Sequence, residues 1–208
     1  MTKASPAEVY ARLLATYPDA HCELDFDGPF QLLIATVLSA QSTDKGVNKV
    51  TPFLFARCPD AAALAAIDRA DLEEIIRPTG FFRQKAASLQ GIAEALVAGF
   101  DGDVPSDIES LTKLPGVGRK TANVVRGHAF GMPGITADTH VMRVSGRLGW
   151  TASDKPEQVE RDLNATFPEK DWTMVSDVLI FHGRRCCAAK APACADCPVA
   201  QWCPSAGA

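Results

Sequence analysis

Hydrophobic positions along the chain recur mostly three and four apart, and no segment alternates apolar and polar residues over a strand's length. Ser5-Pro6-Ala7-Glu8 forms a capping box with proline at the first helical position, opening a helix whose inner face carries Val9, Leu13 and Leu14. Residues 30–40 are apolar on nearly every side, which predicts a buried central helix. Thr43 or Asp44 caps a helix over 45–56, Asp60 opens a short alanine-rich helix, and Asp71 opens another that Pro78 and Gly80 stop. Residues 84–98 predict a longer helix with Gly99 at its end, and Ser106-Asp107-Ile108-Glu109 a second capping box. Segments 118–130, 138–148, 156–167 and 171–185 complete a set of about ten helices. The connections are short and marked by proline and glycine, so the fold class is all-α.

The 208 residues are 47% hydrophobic and 22% charged, the composition of a folded chain, long enough for one domain or two small lobes. No apolar stretch approaches the ~18 residues of a membrane helix, and the N-terminus lacks the apolar core of a signal peptide. A cytoplasmic, reducing location with no membrane partner is therefore expected. The net charge of −4 argues against a polyanionic partner, but its distribution changes that picture. Lys113, Arg119, Lys120, Arg126, Arg143 and Arg147 share their segment with one acid, Asp138. Such a basic zone can attract phosphate on an acidic protein, or it can be an ordinary solvated surface.

Five of the seven cysteines lie near the C-terminus: Cys186, Cys187, Cys194, Cys197 and Cys203. An odd total in a reducing location argues against disulfides. Cys187, Cys194, Cys197 and Cys203 fall within 17 residues, and converging thiolates need a cation to offset them. A single Cys-x2-Cys inside wider gaps lets the chain wrap a ligand group, favouring an iron–sulfur cluster, with zinc as the rival. Cys22 and Cys58 read as small core residues within helical patterns, and Cys186 as a spare thiol. Trp150, Trp172 and Trp202 read as packing residues.

Leu114-Pro115-Gly116-Val117-Gly118-Arg119-Lys120-Thr121 joins two helices by a glycine hairpin. Gly116 and Gly118 leave backbone amides open at a helix N-terminus, where the dipole favours an anion such as a phosphodiester. Contact through the backbone carries no base preference. The bland alternative is a tight turn between packed helices.

The hairpin, the loop Gly131-Met-Pro-Gly-Ile-Thr-Ala-Asp138-Thr139-His140, the segment Leu38-Ser-Ala-Gln41-Ser-Thr43-Asp44 and the four-cysteine tail together resemble the endonuclease III family of helix-hairpin-helix DNA glycosylases. The resemblance covers nearly the whole chain. It implies a two-lobed helical fold, with a six-helix barrel over 22–132 and a cluster lobe made of 1–21 and 133–208. It implies Lys120 as catalytic lysine, Asp138 as catalytic aspartate and a [4Fe–4S] cluster on Cys187, Cys194, Cys197 and Cys203. Gln41 matches a residue that enters the gap left by a flipped nucleotide. Phe81 stands where relatives often carry an aliphatic wedge. Lys113, Gly116, Gly118, Arg119 and Thr121 would contact DNA, and His140 would lie beside the base pocket.

The implied activity is removal of oxidised pyrimidines followed by abasic-site lyase chemistry, by a monomer acting on double-stranded DNA that carries a damaged base or abasic site. The location would be bacterial-type cytoplasmic, associated with the nucleoid. A lysine attacks carbon only as the neutral amine, and burial, Arg119 and the helix N-terminus would each favour that form. A thymine-mismatch glycosylase of the same family and a non-catalytic DNA-binding module are the alternatives. Against an adenine-mismatch branch, residues 32–38 contain no acid. The loop 188–193 holds one basic residue, fewer than relatives commonly carry, for which Arg184 and Arg185 would compensate.

Overall fold

A computed structural model describes residues 4–207, and twelve α-helices occur among them. In chain order these are α1 (Pro6–Thr16), α2 (Gly28–Leu38), α3 (Asp44–Asn48), α4 (Thr51–Arg57), α5 (Ala61–Ala66), α6 (Arg69–Ile76), α7 (Phe82–Phe100), α8 (Ile108–Lys113), α9 (Arg119–Ala129), α10 (Thr139–Arg147), α11 (Pro156–Thr166) and α12 (Trp172–Arg185). No strand occurs among the described residues, as the all-α pattern predicts. No helix among them is long and apolar enough to cross a membrane.

Local chemistry explains where the helices start. Ser5 and Glu8 satisfy each other's backbone amides at α1, and Asp60 accepts from the Ala63 N–H at α5 at 2.8 Å. Several expectations shift. The helix expected over 45–56 is two helices, because Pro52 has no N–H to donate and its ring would clash with the carbonyl four residues earlier. Helix α6 is capped by Asp68, which takes the amides of Ala70 and Asp71, so Asp71 lies in its first turn. Asp107, not Ser106, caps α8; the Ser106 carbonyl instead accepts from Arg126 Nε at 3.1 Å. Helix α7 runs through Gly99 to a left-handed Asp101. Leu14 is exposed, and Tyr10 joins Val9 and Leu13 on the buried face of α1. Cys58 is buried at the end of α4 and Cys22 is half-buried in a loop, both outside helices.

The chain forms two compact units, one of Glu23–Met132 and one joining Met1–Cys22 to Pro133–Ala208. In the first, every residue from Leu32 to Leu38 is buried, so α2 beyond its first turn is surrounded by protein. It packs on α7 and α9, while α5 and α6 pack on α7, and α8 on α9. The loop after α8 is seated on α7: a side chain at Gly91 would meet the Pro115 ring at 3.2 Å. In the second unit, α12 packs on α1 and α10, and α10 on α11, around Leu13, Val144, Leu163, Val178 and Phe181. Trp150, Trp172 and Trp202 lie against this core, as packing residues should.

Truncating Leu33, fully buried in α2, removes contacts that its rigid surroundings cannot replace. Leu33→Ala should lower the unfolding free energy by about 2–5 kcal/mol. Leu14→Ala, at an exposed position, should change it by less than about 0.5 kcal/mol. Denaturant midpoints measure both, and equal costs would refute the burial pattern.

Candidate functional site

In the unit Glu23–Met132 the site begins with the entry into α9. Leu114 and Val117 are buried and anchor the hairpin, while Gly116 turns with φ +75°. A side chain at Gly116 would be strained by that φ and would meet Ser88 Oγ at 3.0 Å. Gly118 caps α9 at φ −90° with no side-chain hydrogen bond, and nothing lies within 4 Å of where its side chain would be. The first turn of α9 thus begins without a side-chain cap from Gly118 and beside open space, the arrangement an anion uses. Lys113, Arg119 and Lys120 are exposed around it, and Thr121 is half-buried. The exposure of Lys120 overturns the expectation that its amine is buried.

Gln41 and Phe81 belong to the same unit and share an unusual backbone. Both adopt positive φ, +55° and +48°, although neither is glycine. Both are exposed, Phe81 at 63% of its surface. They line one cavity of about 280 Å³ with Lys85, Ser88, Gly116 and Thr121.

In the other unit Asp138 caps α10, its Oδ1 accepting from the Val141 N–H at 2.7 Å. Its Oδ2 remains available among the described residues. His140 is half-buried, with Nδ1 3.0 Å from Arg143 Nη2. Arg143 also donates to the carbonyls of Gly183 and Cys187. Arg147 donates to Cys187 Sγ at 3.2 Å, the Ala188 carbonyl at 2.7 Å and the Ala189 carbonyl at 3.1 Å. Both guanidinium groups therefore serve the cysteine loop, and only part of the basic zone counted from sequence faces solvent. Arg185 is engaged as well, in a two-pronged pair with Asp19 at 3.1 and 2.7 Å and over the Phe181 ring.

The cysteine tail closes around a cavity of about 220 Å³, lined by Cys187, Cys194, Cys197 and Cys203 together with Cys186. The backbone here is irregular, with 3-10 turns at Cys194–Asp196 and Ala200–Trp202. Burial pushes the Cys203 thiol up, and pushes Cys186 up to about 12. His182 is buried and its pKa falls to about 4 for the same reason. Its Nδ1 lies 3.0 Å from the Tyr17 hydroxyl and its Nε2 3.8 Å from Cys197 Sγ. A thiolate at Cys197 would select the tautomer with the proton on Nε2, leaving Nδ1 to accept from the phenol. Among the described residues, His182, Cys186 and Cys197 have ligand atoms within 4.8 Å of one another.

Sequence reasoning missed His182, Tyr17 and Lys85, and placed Arg147 in the basic zone without its bonds to the cysteine loop. Lys85 was detectable: it shares a helical face with Leu89, Ile92, Ala93 and Leu96, all buried. A charge at a core position signals a polar partner inside. The hairpin generates a test of its own. Gly116→Ala should destabilise the protein by about 1–2 kcal/mol through backbone strain. Gly118→Ala should cost less than about 1 kcal/mol yet weaken binding to duplex DNA, because its methyl would occupy the open side of the α9 N-terminus. Thermal melts and fluorescence anisotropy on a labelled duplex separate the two effects; unchanged affinity for Gly118→Ala would remove the phosphate site.

Comparison with known proteins fits this geometry. The HhH-GPD superfamily base excision DNA repair protein family matches residues 34–169. Endonuclease III of Synechocystis sp. is 53% identical over 207 residues, covering 99% of this chain and 94% of that protein. Endonuclease III of Escherichia coli K12 is 39% identical over 203 residues, covering 98% and 96%. A solved non-covalent endonuclease III–DNA complex and a trapped endonuclease III–DNA covalent intermediate each superpose with a TM-score of 0.92 at 44% identity, covering 96% of this chain and 94% of the other. A thermostable thymine-DNA glycosylase has the same fold, with a TM-score of 0.84 at 20% identity and coverage of 96% and 95%. With its hairpin, its cysteine tail and full-length likeness to these enzymes, the chain belongs to the HhH-GPD superfamily of base excision DNA repair proteins and, within it, to the endonuclease III family.

Proposed function

We propose that this chain is a base-excision-repair DNA glycosylase that removes oxidised pyrimidines and then cleaves the abasic strand by β-elimination. The observation that carries this reading is Lys120, exposed on the first turn of α9 behind a hairpin whose backbone leaves that helix end open. The likeness to a trapped covalent endonuclease III–DNA intermediate supports it. The neutral Nζ of Lys120 attacks C1′ of the damaged nucleotide, and the electrons of the glycosidic bond leave with the base. Opening of the sugar gives an imine between Lys120 and C1′. The imine acidifies C2′; loss of that proton expels the 3′ phosphate, and water then releases the lysine.

Asp138 supplies negative charge while the sugar is cationic, its second oxygen serving this role as the first holds the helix cap. Lys113, Arg119, Thr121 and the amides at Gly116 and Gly118 grip backbone phosphates, while His140 contacts DNA beside the base. Gln41 and Phe81 fill the gap the flipped nucleotide leaves, since a base inside the stack exposes neither its C1′ nor its edges. The protein works as a monomer, in the cytoplasm, on double-stranded DNA containing a damaged base or abasic site.

Cys187, Cys194, Cys197 and Cys203 hold one [4Fe–4S] cluster in this reading. All four line one cavity, and a single Cys-x2-Cys inside wider gaps suits a cluster held from several directions better than the paired ligands usual at structural zinc. The Cys203 thiol, pushed up by burial, becomes a thiolate when a cation offsets the lost solvation. When bound, the cluster supplies iron–thiolate bonds that tie the irregular tail together.

The catalytic roles are tested with a panel of lesion duplexes, measuring base release and strand incision separately. Lys120→Gln should abolish incision and trapping by borohydride while lesion binding survives in part. Asp138→Asn keeps the cap acceptor but loses the charge, and should slow base release by at least about 10²-fold. Full trapping by a folded Lys120→Gln protein would overturn the assignment.

Anaerobically purified protein should carry about four irons per chain. Cys197→Ser should lose them and Cys186→Ser should not. One zinc and no iron would refute the cluster.

A further inference from the structure

Lys85 is a buried charge in the unit of Gln41 and Phe81 that the reaction leaves unused. It is 5% exposed on α7, and burial lowers its pKa. Its acceptors are uncharged. Nζ donates to the Thr79 carbonyl at 2.7 Å and to Ser42 Oγ at 3.1 Å. Ser42 Oγ donates in turn to the same Thr79 carbonyl. Three groups from three places in the chain thus close on one another: the residue after Gln41, the residue two before Phe81, and a helix side chain. Both neighbours hold the left-handed backbone that non-glycine residues adopt only when their surroundings impose it. Thr79 is itself fixed, being 4% exposed and donating from Oγ1 to the Ile76 carbonyl at 2.8 Å.

We propose that Lys85 is a positioning residue that fastens the Gln41 loop to the Phe81 loop through Ser42 and Thr79, so that the two exposed side chains act as one rigid wedge. This rests on the reading that Gln41 and Phe81 enter the DNA gap. Pushing a side chain into a base stack needs a tip that does not yield. Each loop alone carries a strained residue that would relax if released. An ammonium suits the lock because its several N–H donors can hold a carbonyl and a hydroxyl together, and its attachment to α7 ties both loops to a helix of nineteen residues. Lys85 touches no reacting atom; it acts through the geometry of Gln41 and Phe81.

The test places 2-aminopurine opposite a tetrahydrofuran abasic analogue in duplex DNA and reads its fluorescence when the full-length holoprotein binds. Lys85→Met keeps the aliphatic stem and removes the ammonium. It should lose most of the fluorescence rise and slow incision at an abasic site in intact duplex about 10- to 100-fold, the range for a lost charged hydrogen bond. On a duplex gapped opposite the abasic site there is no facing base to displace, and the defect should disappear. Ser42→Ala, which removes the hydroxyl of the same lock, should shift both readings in the same direction and decides the matter alone if Lys85→Met does not fold. A full fluorescence rise in both variants, or equal loss on intact and gapped duplexes, would overturn the proposal. Phe81→Ala runs alongside: a normal rise there would overturn the wedge, and the lock with it.

Discussion

At Gly116 the backbone turns through φ +75° while Ser88 closes the space a side chain would need, and everything assigned to α9 depends on that turn. Buried Leu114 and Val117 hold the hairpin from either side, and Pro115 rests against Gly91 of α7. The first turn of α9 therefore leaves a rigid seat, with no side-chain cap from Gly118 and Lys120 two residues beyond it. A helix end that nothing caps is an open place for an anion, and a lysine on its first turn stands beside whatever phosphate binds there. The same seat explains how an acidic chain can belong to a family of DNA repair proteins. A few exposed cations lie where the backbone dipoles of α9 begin, and the acidic excess that makes the whole chain −4 lies outside this basic segment.

The C-terminal tail solves a different problem. Its regular structure is confined to two 3-10 turns, and only a few of its residues, Val199 and Trp202 among them, reach the core. Its cysteines converge on a cavity, and the surrounding protein is arranged toward them. Arg147 donates to Cys187 and to the carbonyls that follow it, Arg143 holds the Cys187 carbonyl, and His182 directs Nε2 at Cys197 with Tyr17 behind it. The carbonyl of His182 also accepts the amides of both Cys186 and Cys187, so the end of α12 launches the loop. Helices α10 and α12 thus serve the tail with charge and hydrogen bonds as well as with the apolar contact made by Val199 and Trp202.

Much of the fold was legible in the sequence because helix caps are local. Ser5 with Glu8, Thr43 and Asp60 each act through the amide three residues on, and each lies where its pattern points. The break within 45–56 is local too, since Pro52 removes a backbone donor and crowds the preceding turn. What could not be read was the use of long side chains over long sequence distances. Arg143 and Arg147 counted as basic surface, yet both reach some forty residues along the chain to the cysteine loop. Lys85 reaches back to Ser42. The hairpin and the cysteine spacing were legible as motifs, but the left-handed backbone at Gln41 and Phe81 was not, because nothing in a glutamine or a phenylalanine announces it.

The central claim is that one particular amine becomes bonded to DNA. Mass spectrometry of the borohydride-reduced adduct formed on an abasic duplex identifies that amine directly, after proteolysis of the protein and digestion of the DNA. The account predicts that the sugar remnant maps to Lys120 and to no other lysine. A remnant on Lys113, Lys85 or the N-terminal amine would contradict it.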